Sequence, residues 1–501
     1  LGFFLLKLNY IRKHLNAMEN NNDEIKQNKK LNLFEALIPL IALVILLSCN
    51  VIVFGDDTLS GSNQMALLLG GAIAFIVGIF NKVRYDAMIN KVALNIKSIS
   101  EALLILFLVG ALAGTWLLSG VIPAMIYYGL MILKPAIFLP ATVIICAIIS
   151  LSTGSSWTTS ATVGIGLVGI GQSMGINPAI AAGAVISGAY FGDKMSPLSD
   201  TTNLAAAIAG SELIKHIRYM MLTTIPSISI ALIIFTIIGF TADVSGAADP
   251  KSIQELILST FTISPMLFIV PVFVIYMIIK KTKPTVALLL GALLGGVFAL
   301  IFQPEAVMTA SGESHYTILS AYKGVMNAMT VDVSFDTGNP DMNDLFSSGG
   351  MSGMMNTVWL CICAMVFGGI MEAIGALARI SDSLLKLAKS TFGLVASTVG
   401  SCVTLNVTAS DQYMAIVVGG KMFEKAYRDR ELAPENLSRT LEDAGTVTSV
   451  LVPWNTCGAY QSSVLGVSVS DYFIYAIFNY ISPFMTLIYA WFGIKIKKLV
   501  K

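Results

Sequence analysis

Charge is scarce in this chain: 12% of its 501 residues are Asp, Glu, Lys or Arg, 55% are hydrophobic, and the mean hydropathy is +0.77. That excludes a soluble globular domain and leaves a protein that crosses a lipid bilayer many times as α-helices, the open-chain structure that satisfies its own backbone there. Histidine is scarcer still. His14, His216 and His315 all lie in polar segments, so no buried imidazole is expected for a metal centre or for intramembrane acid–base catalysis. The six cysteines fall in or beside apolar runs, and Cys361 and Cys363, two apart, face different sides of a helix; they read as small buried hydrophobes, not as disulfides or metal ligands. A net charge of +1 offers no basic surplus for nucleic acid. Glycine pairs such as Gly70-Gly71 and Gly295-Gly296 have no preceding strand and no following Lys-Ser/Thr, so they are helix-packing devices and not phosphate loops. No resident cofactor is expected. No signal peptide is expected either, because the apolar patch at 1–6 is short and has no small-residue cleavage site after it.

What is present centres on Gly192-Asp-Lys-Met-Ser-Pro-Leu-Ser-Asp-Thr-Thr-Asn203. It separates two apolar runs, each too short to cross a bilayer alone. Pro197 has no N–H, so the helix is expected to open here and free the Asp193 carbonyl, and broken helices at membrane depth are where transporters hold ions. An equivalent break is expected at Pro453, which would free the Ser449 carbonyl.

In order, 1–30 reads as a polar cytoplasmic tail with Met18 as the expected start. Residues 31–241 form a first repeat, with spans at 31–54, 62–80 and 99–118, an interfacial piece at 119–133, a re-entrant hairpin at 135–172, a broken helix at 178–209, a basic connector holding Lys215, His216 and Arg218, and a span at 219–241. An outer loop at 242–263 leads to the second repeat, 264–494, which contains spans at 264–279, 285–302 and 351–375, an outer loop at 303–350, an amphipathic piece at 379–389, a hairpin at 392–423, a broken helix at 436–466 and a last span at 472–494. A basic cytoplasmic tail, 495–501, ends the chain.

A shift of 256 residues lays Pro178 on Pro434, Pro197 on Pro453 and Ser199 on Asn455. Five spans per half is an odd number, so the second half is expected to be inverted. Lys and Arg collect in alternate loops, at 82–97, 215–218, 280–283, 379–389, 425–430 and the C-terminus, while Asp56, Asp57, Asp243, Asp249, Asp332, Asp336, Asp341 and Asp344 fall in the others. Positive-inside asymmetry then gives ten spans with both termini cytoplasmic.

Intramembrane acids are costly and mark function by default. Asp200 and Asp411 read as the deepest, each either an ion ligand or a cap on the half-helix after it. Asp193 is either a ligand or the partner of its neighbour Lys194. Ser155, Ser156, Ser199, Asn203, Thr408, Ser410, Asn455 and Thr456 supply neutral oxygens, which suit a small hard cation or a hydrogen bond to the hairpin backbone. Glu442 and Asp443 read as lying at the cytoplasmic mouth of the second broken helix. No buried Arg is seen that would clamp an organic carboxylate, which favours bare cations.

These motifs, GDKMSPLSDTTN at 192–203, SDQY at 410–413 and LSRTLEDAGTVTSVLVPWNTCG at 437–458, resemble those of the NhaC family of Na+/H+ antiporters, within a superfamily of two-repeat elevator transporters. The resemblance runs from about 31 to 494. It implies exchange of Na+ for H+ across the bacterial inner membrane, a mobile unit of hairpins and broken helices sliding past a scaffold that pairs as a homodimer, and Na+ and H+ competing for the aspartates. The same family includes members that exchange malate for lactate with Na+ and H+, and no residue set separates the two activities. A cation channel is the remaining alternative, disfavoured because paired hairpins within one chain suit alternating access.

Overall fold

The computed structural model describes residues 31–54, 60–241, 250–337, 343–386 and 388–499. The expected tail at 1–30 lies outside them, as do Asp56, Asp57, Asp243, Asp249, Asp341 and the last two residues. The chain is overwhelmingly helical, and its only strands among the described residues are a two-residue antiparallel pair, Val333–Ser334 with Ser347–Ser348. Among the described residues eight helices are long and apolar enough to cross a membrane, and two sharply bent pairs, each taken as one span, raise the count to ten. One of these pairs joins Pro250–Thr260 to Pro265–Ile279 at 87°, and the other joins Val469–Tyr475 to Ile477–Trp491 at 54°. The outward faces carry Ile, Leu, Val and Phe, for example Ile52, Phe80 and Phe240, as a lipid-facing surface requires.

Two layers result from the packing. Leu33–Phe54, Ser62–Phe80, Tyr85–Ser98, Ser100–Leu118, Pro284–Phe302 and Met355–Ala373 pack on one another. Close backbone approach is possible because the contact points are glycines: a Cβ on Gly114 would lie 1.8 Å from the Ala328 carbonyl oxygen, and one on Gly110 would lie 2.2 Å from that of Gly350. The other layer holds the interrupted segments, with Leu213–Thr241 and Ile477–Trp491 against them. There Gly188 and Gly192 bring Pro178–Met195 onto Pro135–Thr153, where any Cβ would strike the Val143 and Ala147 carbonyls.

Several expectations are corrected. The segment 303–350 is not an open loop: it contains Pro304–Ser311 and Ile318–Thr330, the latter started by a capping box in which Thr317 and Ser320 satisfy each other's backbone N–H. The basic stretch after the second span is a helix, Tyr85–Ser98, tied to the other half by Lys91 and Glu372 at 2.8 Å. The connector holding Lys215, His216 and Arg218 is the first turns of Leu213–Thr241. Cys49 is exposed, whereas Cys146, Cys361, Cys363, Cys402 and Cys457 are buried.

Candidate functional site

Proline and glycine set the breaks, and short polar side chains cap the half-helices that resume beyond them. Pro178–Met195 ends with Ser196 in extended conformation, Pro197 prevents continuation, and the helix resumes as Asp200–Ala209 with Ser199 as its N-cap. The second crossing runs Pro434–Leu441, then a π-helical turn Glu442–Thr446 and a 3-10 turn Ser449–Leu451, and resumes as Thr456–Leu465 with Asn455 as its cap. Neither proline leaves a free carbonyl: Asp193 accepts from the Ser196 N–H at 3.0 Å, and Ser449 accepts from the Val452 N–H at 3.3 Å. Tight turns absorb the orphan acceptors that the sequence offered to an ion.

The first hairpin turns at Gly154, in the left-handed conformation with φ 70°, and Ser155 caps its second arm by accepting from the Thr158 N–H at 3.1 Å. Ser156 gives both its backbone N–H, at 3.0 Å, and its hydroxyl, at 2.7 Å, to Oδ2 of Asp193. Ser196 donates to the Leu151 carbonyl at 2.8 Å, so this tip and this break form one unit. In the second hairpin Thr391–Thr408 leads to Ser410, buried and held at φ 58°, a conformation that a serine adopts only under constraint. Asp411 caps Gln412–Asp429 by accepting from the Met414 N–H at 3.0 Å, and its other oxygen faces the Thr456 hydroxyl at 3.4 Å. The Thr456 N–H donates to the Ser410 carbonyl at 3.0 Å, and the Asn455 amide donates to the Asn406 carbonyl at 3.0 Å.

The 256-residue shift links these details as well. It carries Gly154 onto Ser410, both at positive φ, and carries the Ser155–Thr158 cap onto Asp411–Met414. It also carries the Ser156–Asp193 contact onto Gln412–Ser449, whose side chains meet at 3.4 Å. Each half thus contributes one buried acid, but from different elements.

The expected ligands therefore assemble as two groups, Ser155, Ser156, Asp193 and Ser199 at one tip and Thr408, Ser410, Asp411, Asn455 and Thr456 at the other. Asn203, one turn along, spends its amide N–H on the Pro197 and Ser199 carbonyls, at 2.9 and 2.6 Å. The Thr408 hydroxyl donates to the Thr404 carbonyl. Trp157 joins the groups by stacking on Tyr460 at 3.9 Å between ring centres, with the Tyr460 hydroxyl on the Trp157 carbonyl. Burial differs from expectation: Asp193 and Asp411 are 7% and 5% exposed, while Asp200, first in its half-helix, is exposed. Among the described residues no three of His, Cys, Asp and Glu converge as a metal set, so a cation here would take one carboxylate and several neutral oxygens.

Asp193 does not pair with Lys194. Consecutive helical residues do not face each other, and Lys194, fully buried, reaches Asp443 instead. Asp443 is also held by the hydroxyls of Thr223, Ser482 and Thr486. Glu442 and Asp443 are therefore not at a watery mouth; both are fully buried. His216 is buried too, its Nδ1 2.7 Å from the Ser438 hydroxyl. Arg439 is buried, 4.7 Å above the Tyr219 ring, which removes the inference drawn from a missing buried Arg. The one sequence signal for this network is Lys194 itself, a cation within an apolar helix that requires an anion elsewhere.

Residues 188–494 match the model of the Na+/H+ antiporter family. The Na+/H+ antiporter NhaC of Alkalihalophilus pseudofirmus is 38% identical, over 85% of this chain and 89% of its own. The malate-2H+/Na+-lactate antiporter of Bacillus subtilis is 36% identical, over 86% and 89%. Among solved structures, Neisseria gonorrhoeae MtrF aligns with 91% of this chain and 94% of its own at 14% identity and a TM-score of 0.36. With that family match over more than half its length and such relatives over most of it, this chain belongs to the Na+/H+ antiporter family of the NhaC type.

Proposed function

We propose that the protein exchanges Na+ for H+ by alternating access, one carboxylate among Asp193, Asp200 and Asp411 binding the cation together with the neutral oxygens at the two tips. The observation that carries this is that each half brings a buried acid to its hairpin tip, Asp193 held by Ser156 and Asp411 facing Thr456, among several neutral oxygens. An ionised carboxylate at membrane depth is unstable alone, and either a metal ion or a proton neutralises it. Only a neutralised site crosses, so the ions exchange and do not leak. The correspondences at a spacing of 256 residues support two inverted repeats, and the split into a glycine-packed layer and a layer of interrupted segments supports an elevator in which the second slides past the first. The positive-inside asymmetry of the basic loops supports both termini in the cytoplasm of a bacterial inner membrane.

The alternative substrate is an organic acid such as malate or lactate, as in the Bacillus relative. A buried Arg439 keeps that reading open, although it lies against Tyr219 and not among the tip residues. Purified protein in liposomes loaded with a pH dye decides between them. Addition of Na+ alone moves protons if the cargo is the bare cation, whereas a requirement for malate selects the organic acid, and proton movement with neither rejects both.

A further inference from the structure

Beside the tips lies a buried charge that Na+ binding does not employ. Glu442 opens the π-helical turn of the second crossing and is fully buried, yet among the described residues neither of its carboxyl oxygens has a hydrogen-bond partner. Arg439, three residues earlier and also fully buried, has three guanidinium nitrogens without one. Two orphaned, opposite groups at that helical spacing can meet by side-chain rotation alone. An unpaired carboxylate in such a place is strongly disfavoured, so with Arg439 turned to Tyr219 the acid is neutral and holds its proton.

The groups around it leave it free for that role. Lys194 and Asp193 from the first crossing and Asp443 and the Thr446 hydroxyl from its own turn act on Glu442, but the charge of Lys194 is already met by Asp443, and Glu435 on the preceding helix is met by Lys497. The packed helices Thr391–Thr408 and Ile477–Trp491 carry no charged residue. Gln412–Asp429 carries its charges from Lys421 onward, Asp200–Ala209 has Asp200 at its start, and His216 is turned to Ser438. The ion pair between Lys194, next to Asp193, and Asp443, next to Glu442, ties the turn that holds Glu442 to the cation site.

We propose that Glu442 carries the transported proton at a site separate from the Na+ ligands, an inference that rests on the reading of this chain as a Na+/H+ exchanger. Na+ settling at Asp193 adds positive charge within reach of Glu442. The O–H bond breaks, the proton passes to water on the open side, and the carboxylate turns to the Arg439 N–H groups. When Na+ leaves on the other side, a proton from that side returns to the carboxylate and Arg439 swings back to Tyr219. π-helical turns at functional sites fit this use, since they loosen the backbone pairing of a helix.

The test uses the full chain in liposomes and reads two modes: Na+-driven proton movement by dye, and self-exchange of radioactive Na+, which needs no proton carrier. Glu442→Gln should lose the first and retain the second, and Glu442→Asp should keep both with a displaced pH profile. Proton movement unchanged in Glu442→Gln overturns the proposal and returns the proton to Asp193 or Asp411. Loss of both modes in Glu442→Gln supports it only if Glu442→Asp shows self-exchange with a displaced profile; an inactive Glu442→Asp or an unshifted profile overturns it. Wild-type protein that moves no protons on addition of Na+ fails the underlying exchanger reading instead.

Discussion

Ser156 and Asp193, 37 residues apart, meet through two hydrogen bonds to one carboxylate oxygen, from the serine hydroxyl at 2.7 Å and its backbone N–H at 3.0 Å. The hairpin tip thereby fixes the orientation of the acid and leaves its other oxygen for the site. Ser156→Ala removes the hydroxyl but keeps the backbone bond. A hydrogen bond to a charged group is worth about 1.5–3 kcal/mol, so the Na+ concentration for half-maximal exchange should rise roughly tenfold, read from dye-quenching titrations; an unchanged titration would deny the tip a part in binding.

Asp200→Asn and Asp411→Asn should each abolish Na+-driven proton movement, because the amide keeps the shape and, at Asp411, the helix cap, but carries no negative charge for a cation to neutralise. Circular dichroism separates that from misfolding. Wild-type rates in either variant would remove that acid from the site.

Competition fixes the sign of the pH dependence. Below the acid's titration range each unit fall in pH should raise the Na+ concentration for half-maximal rate by about tenfold, with the maximal rate unchanged. Equal Na+ requirements at pH 7 and pH 9 alongside a falling maximal rate would show that proton and cation do not influence each other's binding, against both the shared acids and the charge coupling to Glu442.

Lys194→Met should be severely destabilising, by about 3–5 kcal/mol, since it leaves Asp443 buried and unpaired. The double variant Lys194→Met/Asp443→Leu should recover most of the loss in thermal unfolding followed by intrinsic fluorescence. A double variant no better than the single one would mean that the hydroxyls of Thr223, Ser482 and Thr486 matter more than the charge.

Gly114→Leu should disrupt the scaffold layer, because its Cβ alone would fall 1.8 Å from the Ala328 carbonyl oxygen. Poor recovery after detergent extraction, against normal recovery of Gly353→Ala, where nothing lies within 4 Å, is the expected contrast.

The breaks were legible because proline carries its own mechanism: Pro197 and Pro453 remove an N–H wherever they stand. Their carbonyls were not, since whether Ser196 or Val452 closes a turn on them depends on the local path of the chain. Lys194 announced a buried charge, but its partner lies 249 residues away and nothing in the order of residues gives that distance. Asp200 looked deep by its position between apolar runs, and exposure depends on which way the half-helix presents its first residue. The helix Ile318–Thr330 was readable from Thr317 and Ser320, a capping pair hidden in a stretch whose polarity suggested a loop.

Lys194 comes from the first half and Asp443 from the second, and together they carry no net charge. Under the elevator movement proposed above, the voltage across the membrane would therefore exert no net force on this pair. What the potential drives is the charge left over at the site, cargo and acids together, at about 2.3 kcal/mol per elementary charge for every 100 mV. Removal of the lysine alone would convert a voltage-silent strut into a gating charge.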